Sequence, residues 1–363
     1  MEDESAKLSG GARVVRLGAI GAVVLGVTAG FAYAGGWLTP GRLTQTTVID
    51  GFEAQNGTHI GFRRNHAKGL CAAGWFDSTG EGATFSKADV LASGRVPVIG
   101  RFAFAGGMPF IPDSPGLVRS LALQFKPPHG QEWRTAMIDL PLFPVANVQA
   151  FYAQMIASIP DRNTGKPDPE KMQAFKAAHP ETVAAMAVIG KRAVSSGFSN
   201  DTYNALDTFE FVDKDGRSVP VRWSAVPAQP FSPAAPQDKQ DPNYLFDALI
   251  ADAAHHPLTW KMVATIGQPG DPVSPDLPWP EDRQHIDLGT VTLDKLTSED
   301  VGPCTDINFD PTVLPAGIST SADAIPSARS AAYSRSFMLR EKERAAKPPS
   351  AVTETDVLAG GKS

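Results

Sequence analysis

Cysteine is scarce in this chain, and several kinds of binding motif are missing. The 363 residues include two cysteines, Cys71 and Cys304, without the Cys-x-x-Cys or His-x-x-His spacing of a zinc or iron–sulfur site. One pair is not a disulfide framework, so a single bridge and two free buried thiols both remain open. The formal net charge is −6 and no basic stripe is present, so nucleic acid is not an expected partner.

A long uncharged run of small and apolar residues lies near the amino terminus. Residues 17–31 carry no charge, follow Arg13 and Arg16, and precede an Ala-x-Ala sequence that ends at Ala34. This pattern predicts a secretory signal peptide. The uncharged stretch continues to Leu38, so a membrane anchor over residues 17–38 is the alternative. Both predict an exported, periplasmic protein whose membrane contact is limited to this segment.

Short apolar runs with period-two alternation are abundant, and they predict β-strands. Eight such runs occur, at residues 70–76, 98–104, 117–126, 134–140, 205–212, 218–224, 259–266 and 286–293. The fifth and sixth are joined by a sequence ending in Asp215-Gly216, a strong hairpin signal. Eight strands suffice to close a barrel that is filled by its own side chains. Apolar residues at helical spacing predict helices at residues 147–159, 168–178, 181–194, 242–254 and 326–344.

These elements predict one folded domain of the α+β class. Its expected architecture is an eight-stranded antiparallel β-barrel with surrounding helices, over residues 39–344, beginning with a polar linker at residues 39–64. Residues 1–38 form the predicted signal peptide or anchor. Residues 345–363 form a tail that we predict to be disordered.

Four short motifs occur in order along this domain. They are Arg63-x-x-His66-Ala67-Lys68-Gly69, Arg101-Phe102, Pro141-x-Phe143 with Phe151 eight residues later, and Arg329-x-x-x-Tyr333 with Arg340 on the same helix face. Each motif alone is common. Together, in this order, they resemble the haem catalase family, and more closely the short catalase-related peroxidases that lack the amino-terminal arm and carboxy-terminal helical domain of full catalases. The resemblance covers about residues 45–344.

The resemblance implies a minimal catalase-like barrel that binds haem b. Tyrosine ligation of the iron is a known property of the family, and the matching residue is Tyr333. A free tyrosine has a pKa of about 10, so it needs a nearby cation to ionise at neutral pH. Arg329, one turn earlier, is suitably placed. His66 matches the family's catalytic residue, which would move a proton between the two oxygens of a peroxide.

The remaining matches are cofactor-binding residues. In the family, arginines at the positions of Arg63, Arg101 and Arg340 hold the haem propionates, a role that suits a planar fork able to grip a carboxylate. Phe143 and Phe151 match aromatic residues of the haem pocket. Gly69, which lacks a Cβ, would let its strand pass close to the macrocycle.

Departures from the family pattern concern the side of the haem that carries His66. Many catalases have a serine after the Arg-Phe pair that hydrogen-bonds the histidine, and here that residue is Ala103. The distal asparagine of typical catalases is replaced by Ile138, although Asn65 could supply an amide. Lost hydrogen bonds of this kind weaken the stabilisation of developing charge. We therefore expect weak catalase activity.

The sequence thus predicts a haem peroxidase that reduces hydrogen peroxide or organic hydroperoxides with an unidentified organic electron donor. One alternative is an exported haem carrier without turnover, although a carrier needs no distal acid–base group such as His66. Another is an enzyme that converts lipid hydroperoxides, because the amino-terminal segment would place it beside lipid. Full catalases are tetramers through arms that this sequence does not match, so a monomer or dimer is expected.

Overall fold

The computed structural model describes residues 10–35, 38, 43–235 and 241–360. The chain divides into two compact units, Met1–Val48 and Ile49–Ser363. The first contains helix α1 (Gly10–Ala34), which has no buried residues. By length and composition α1 could cross a membrane, and a signal sequence passes the same test. Residues 1–9, 36–37 and 39–42, which fall within the predicted amino-terminal segment and linker, lie outside the described residues.

The second unit contains a closed antiparallel β-barrel. All eight predicted strands are present: β1 (Gly69–Ser78), β2 (Gly94–Phe104), β3 (Arg119–Phe125), β4 (Trp133–Ile138), β5 (Tyr203–Val212), β6 (Ser218–Pro227), β7 (Leu258–Ile266) and β8 (Gln284–Thr297). Their order is β4-β3-β2-β1-β8-β7-β6-β5, and a β4–β5 pairing closes the barrel. A short ninth strand, β9 (Ile318–Thr320), which the sequence did not predict, pairs with β5.

Alternating burial along the strands explains why the sequence predicted them. In β4 the buried side chains of Trp133, Thr135 and Met137 alternate with half-buried ones, so one face points into the barrel. The interior is packed with aromatic and branched side chains, including the stacked pair Phe125 and Trp133. Because the interior is a closed hydrophobic core, a cofactor site has to lie outside it.

Helices cover the outside of the barrel. The five predicted ones are observed as α3 (Val148–Ala157), α4 (Pro169–Ala178), α5 (Pro180–Ile189), α6 (Tyr244–His255) and α7 (Ile325–Glu343). Side chains cap two of them: Asn147 accepts a hydrogen bond from an amide at the start of α3, and Asp168 accepts two at the start of α4. Pro180 stands in the first turn of α5.

Two segments differ from their sequence-based expectations. The predicted polar linker contains helix α2 (Gln45–Asn56), and Phe52 of this helix packs edge-to-face against Phe151. The predicted disordered tail contains helix α8 (Glu354–Gly360), preceded by the buried Val352. Residues 361–363 lie outside the described residues. Both helices are stabilised by contacts with distant parts of the chain, which local sequence patterns do not reveal.

The two cysteines form a disulfide. Cys71 on β1 is bonded to Cys304, with 5.3 Å between the Cα atoms. This decides between the two alternatives that the sequence left open. The bridge fastens the loop after β8 to the first strand of the barrel.

Candidate active site

The outer face of strands β2 to β4 carries small side chains. The strand register pairs Ala103 with Ser120 and Ser120 with Ile138 in one row, and Arg101 with Ala122 in the next. These residues alternate with the core residues, so they point away from the barrel interior. The small side chains keep this part of the outer face flat between Arg101 and Ile138.

His66 lies between α2 and β1, in a left-handed backbone conformation. Its φ of 56° is the only positive value at a non-glycine residue in the described part of the chain. Asn65 stabilises this turn, because its Oδ1 accepts hydrogen bonds from the amides of His66 (3.0 Å) and Gly106 (2.7 Å). Its oxygen therefore holds the backbone turn that carries His66. Such conformations persist where surrounding contacts enforce them, often at functional sites.

The imidazole of His66 has a hydroxyl partner. Its Nδ1 lies 3.1 Å from Oγ of Ser120, which also donates to the carbonyl oxygen of Ala103 at 3.2 Å. The expectation that the histidine loses its hydroxyl partner is therefore wrong. The hydroxyl comes from the neighbouring strand, opposite Ala103 in the register. The sequence did not reveal Ser120 as this partner, because neighbours on adjacent strands are far apart in sequence.

Arg63, Arg101 and Arg340 converge on one buried carboxylate, Glu299, and these four residues are called the arginine cluster below. Arg101 donates to both carboxylate oxygens at 2.7 Å, and Arg63 Nε lies 3.5 Å from Oε1. Arg340 is close enough to Glu299 to lower the pKa of its carboxyl group. The fold thus brings together three arginines that the sequence placed in separate motifs. Glu299 was missed because a single acidic residue in a loop carries no motif.

The loop that carries Glu299 also holds two of these arginines through its backbone. Arg63 donates to the carbonyl oxygens of Cys304 (3.0 Å) and Ile307 (3.2 Å), and Arg340 donates to that of Thr305. The disulfide ties this loop to β1 at Cys71. The positions of the guanidinium groups therefore depend on the loop and its bridge.

Gly69 leaves space for Arg101 of the arginine cluster. A Cβ at this residue would overlap the guanidinium of Arg101 and the carbonyl oxygen of Phe102. The sequence predicted that Gly69 allows close approach to a macrocycle. In the structure, the absent side chain makes room for Arg101, whose Nη2 then donates to the His66 carbonyl oxygen at 2.8 Å.

Burial and positive charge control the ionisable groups here. Burial raises the pKa of Glu299, but Arg101, Arg63 and Arg340 outweigh it and lower the value to about 2. Burial, Arg101, Arg329 and Arg63 lower the pKa of His66 to about 3. The carboxylate is therefore ionised and the imidazole neutral at neutral pH. A neutral imidazole is able to accept a proton.

Tyr333 and Arg329 lie on α7. The Arg329 guanidinium carbon lies 5.9 Å from the Tyr333 ring centre. Burial lowers the pKa of Arg329, but its ion pair with Asp207 and the tyrosine hydroxyl outweigh burial and raise it. Asp207, which sequence analysis missed, therefore keeps Arg329 charged. The Tyr333 side chain packs against a buried cluster that contains the two disulfide cysteines, Ile307 and Phe309.

Phe143 and Phe151 form a separate stacked pair. Their ring centres are 6.0 Å apart with an angle of 23° between the planes. Both pack in a cluster built around Val145 and helix α3, and Phe143 also contacts the cluster that includes Ile138. The structure thus places these rings beside the row that contains Ser120, in a cluster distinct from that of Tyr333.

The residues present fit a haem group. With Glu299 ionised, the three guanidinium groups leave the arginine cluster with an excess of two positive charges, which matches the two propionates of a haem group. Arg340 Nη2 is buried without a hydrogen-bond partner among the residues that the structure describes, and Arg63 Nε has only its long 3.5 Å contact with Glu299. Buried donors of this kind call for an anionic acceptor. A phenol held by a charged arginine is a suitable ligand for ferric iron.

Comparison with known sequences matches residues 34–347 to the catalase family. A catalase-related peroxidase of Synechococcus elongatus is 35% identical over 318 residues, which cover 87% of this chain and 92% of that protein. A catalase-related peroxidase of Mycolicibacterium paratuberculosis is 27% identical over 304 residues, which cover 83% of this chain and 96% of that protein.

Comparison with solved structures gives the same fold. A bacterial catalase superposes with a TM-score of 0.68 at 19% identity, over 78% of this chain and 58% of that one. Catalase A of Saccharomyces cerevisiae superposes with a TM-score of 0.68 at 16% identity, over 78% and 62%. This chain therefore spans about six tenths of the length of those catalases. The predicted fold, a catalase-like eight-stranded barrel with surrounding helices, is confirmed.

Proposed function

The chain belongs to the catalase family, and from this premise we propose that it is a haem peroxidase. It reduces hydrogen peroxide or organic hydroperoxides with an organic electron donor and has weak catalase activity. The observation that best supports this proposal is the electrostatic link between two groups. The Arg329 guanidinium carbon lies 5.9 Å from the Tyr333 ring centre, and the same cation lowers the pKa of His66. This arrangement supports a single site that contains both the candidate iron ligand and the candidate acid–base group.

Each site residue has a proposed role. Tyr333 is the iron ligand, and Arg329 stabilises its phenolate form. The arginine cluster binds the two propionates of haem b, while Phe143 and Phe151 provide apolar contacts for the macrocycle. Haem iron, when bound, supplies the centre at which the two oxidising equivalents of a peroxide are held.

His66 is the proposed catalytic residue. Its neutral imidazole takes the proton from one peroxide oxygen and delivers it to the other, so the oxygen–oxygen bond breaks with release of water or an alcohol. Overall, one peroxide accepts two electrons and two protons. A hydroperoxide yields an alcohol and water, and hydrogen peroxide yields two waters. The electrons come from the organic donor, which is oxidised.

Weak catalase activity follows from Ile138. This residue stands beside Ser120 in the sheet and packs with Leu140, Ile189 and Phe143. It offers no amide to orient a second peroxide, so oxidation of peroxide to oxygen is disfavoured relative to oxidation of a donor. Ile138→Asn should raise the ratio of oxygen evolution to donor oxidation, and Ile138→Val serves as the size-matched control. An unchanged ratio would contradict this explanation.

Export to the periplasm is the proposed location. Helix α1 is apolar enough for a signal sequence or an anchor. The Cys71–Cys304 disulfide is typical of proteins that fold in an oxidising compartment. An anchor would keep the enzyme beside lipid and favour lipid hydroperoxides as substrates. We expect a monomer or dimer, which size-exclusion chromatography with light scattering would measure.

The proposal is tested by absorption spectroscopy of the purified full chain. We expect a haem band, a spectral change on addition of hydrogen peroxide or cumene hydroperoxide, and return to the resting spectrum with a phenolic donor. Tyr333→Phe should lose or shift the haem band, whereas Tyr152→Phe, a half-buried tyrosine on α3, should not. A haem band without a peroxide response would indicate a carrier. Oxygen evolution at the rate of a full catalase, without donor oxidation, would contradict the peroxidase assignment.

A further inference from the structure

Ser120 lies next to both positions at which this chain departs from the family's distal pattern. The register pairs it with Ala103 on one side and with Ile138 on the other. Only 6% of the residue is exposed. A buried hydroxyl needs hydrogen-bond partners within the protein, so the direction of its hydrogen bonds can be derived.

The hydroxyl proton of Ser120 is already used. Oγ donates it to the carbonyl oxygen of Ala103 at 3.2 Å, and a carbonyl oxygen can only accept. The same Oγ lies 3.1 Å from Nδ1 of His66. Since a hydroxyl has one proton, its contact with His66 has to be one in which Oγ accepts. The proton of the neutral ring is therefore on Nδ1, and the lone pair is on Nε2.

We propose that Ser120 is a positioning residue that fixes His66 in the tautomer with a free Nε2, the form able to take a proton from peroxide. The carbonyl of Ala103 orients the hydroxyl, and the hydroxyl orients the imidazole. The hydroxyl lost from the position of Ala103 has thus been regained on the adjacent strand. The proposal depends on the proposed function only through the role given to His66.

The charged neighbours of His66 do not set the tautomer. Arg63, Arg101 and Arg329 are cations that disfavour a second proton on the ring. Among the described residues none of them donates a hydrogen bond to a ring nitrogen of His66, so they do not select one tautomer over the other. Among the hydrogen bonds of the described residues, the one to Ser120 is the only side-chain contact of the imidazole nitrogens.

The tautomer can be measured without turnover. Long-range ¹H–¹⁵N NMR spectra of the full chain, with and without zinc protoporphyrin, distinguish a protonated Nδ1 from a protonated Nε2. We expect Nδ1–H in the parent, a mixture of tautomers in Ser120→Ala, and recovery in Ser120→Thr, which retains the hydroxyl. Ser224→Ala removes a half-buried strand hydroxyl that bonds Asn204 instead, so it should leave the spectrum unchanged.

A second readout uses cyanide binding to the haem-loaded chain at pH 7. Cyanide enters as the protonated acid and needs a base, so Ser120→Ala should slow its association about ten-fold, as expected for one lost buried hydrogen bond. Ser120→Thr should restore the rate. A protonated Nε2 in the parent, or a Ser120→Ala variant with unchanged tautomer and cyanide rate, would overturn the proposal. A chain that binds no haem would refute the proposed function, and the NMR measurement would still decide the role of Ser120.

Discussion

Two buried clusters of charged side chains lie at the two ends of the segment from Arg63 to Lys68, on either side of His66. The two clusters differ in net charge. At one end, Lys68 donates to Asp113 (2.6 Å) and to the carbonyl oxygens of Ile111 (2.9 Å) and Pro242 (2.8 Å), so its three protons are all used. The other oxygen of Asp113 accepts from amides at the start of α6. At the other end, Arg63 belongs to the arginine cluster, where three cations share one carboxylate.

The difference in net charge and in hydrogen bonding between the two clusters indicates a different role for each. The Lys68 pair is neutral and fully hydrogen-bonded, as expected of a structural contact that fixes α6 against the barrel. The arginine cluster keeps two excess positive charges and, in the part of the chain that the structure describes, one buried donor without a partner, Arg340 Nη2. An unmatched donor alone is not decisive, because Arg119 also has one while its charge is paired with Asp201. The excess of charge is what distinguishes a binding site from a structural contact.

Replacement of His66, which lies between the two clusters in the sequence, should have the largest effect on peroxide reduction. His66→Ala should slow peroxide reduction roughly 10²- to 10⁴-fold, the range for loss of a general acid–base group. Haem content and the melting temperature should stay close to those of the parent, since the variant keeps the charge excess of the arginine cluster, which we propose binds the cofactor. Stopped-flow kinetics with hydrogen peroxide measure this. A variant with parental kinetics would show that the site works without the histidine.

Breaking the ion pair between Lys68 and Asp113 should lower the stability of the fold and leave haem binding unchanged. Lys68→Met leaves Asp113 buried without its cation, which should lower the free energy of unfolding by about 3–5 kcal/mol. Denaturant titration measures the loss. Lys261→Met is the control, because Lys261 is 62% exposed in its pair with Asp287 and should cost below about 1 kcal/mol. A loss of haem affinity at parental stability would reverse the roles that we assign.

Reducing the charge excess of the arginine cluster should weaken haem binding and have little effect on stability. Arg340→Met removes one excess charge, so haem affinity should fall about 10- to 100-fold, as expected for one charge-assisted hydrogen bond. The stability of the haem-free chain should not fall by a comparable amount, because mutual repulsion among the arginines is relieved. Haem titration followed by absorbance, together with denaturant titration of the haem-free chain, tests both parts. Unchanged affinity would contradict the assignment.

The smallest expected effect is that of pH on the rate of peroxide reduction. A histidine with an ordinary pKa near 6.5 would lose activity below that pH. Because burial and three arginines lower the pKa of His66 to about 3, peroxide reduction should be nearly constant from pH 8 to 5. Arg63→Met removes one of those cations and should move the acid limb to higher pH. An acid limb at pH 6.5 in the parent would show that the arginines do not act on the imidazole.

Acid should also destabilise the haem-free fold. The folded-state pKa of His66 lies below its unfolded value, so the unfolded chain binds more protons and stability falls as the pH drops from about 6.5 towards 3. The pKa of Glu299 is also lowered, so its contribution to stability is present above about 4.5 and is lost as the pH falls towards 2.

The sequence predicted the barrel well because alternation is a local signal. It missed α2, whose sequence contains β-branched residues and Gly51, all weak helix formers. Gly51 is needed there, since a Cβ would overlap Met155 of α3. The motifs predicted the arginines, His66 and Tyr333. Glu299 and Ser120 could not be predicted, because their importance arises from residues that meet only in the folded chain.

The central claim is that the charge excess of the arginine cluster binds the two carboxylates of haem. Its most direct test compares the affinity of the full chain for iron protoporphyrin and for the dimethyl ester of the same molecule, which lacks both negative charges. Our account predicts at least about a hundred-fold weaker binding of the ester, because two charge-assisted interactions are lost. Equal affinities would contradict it.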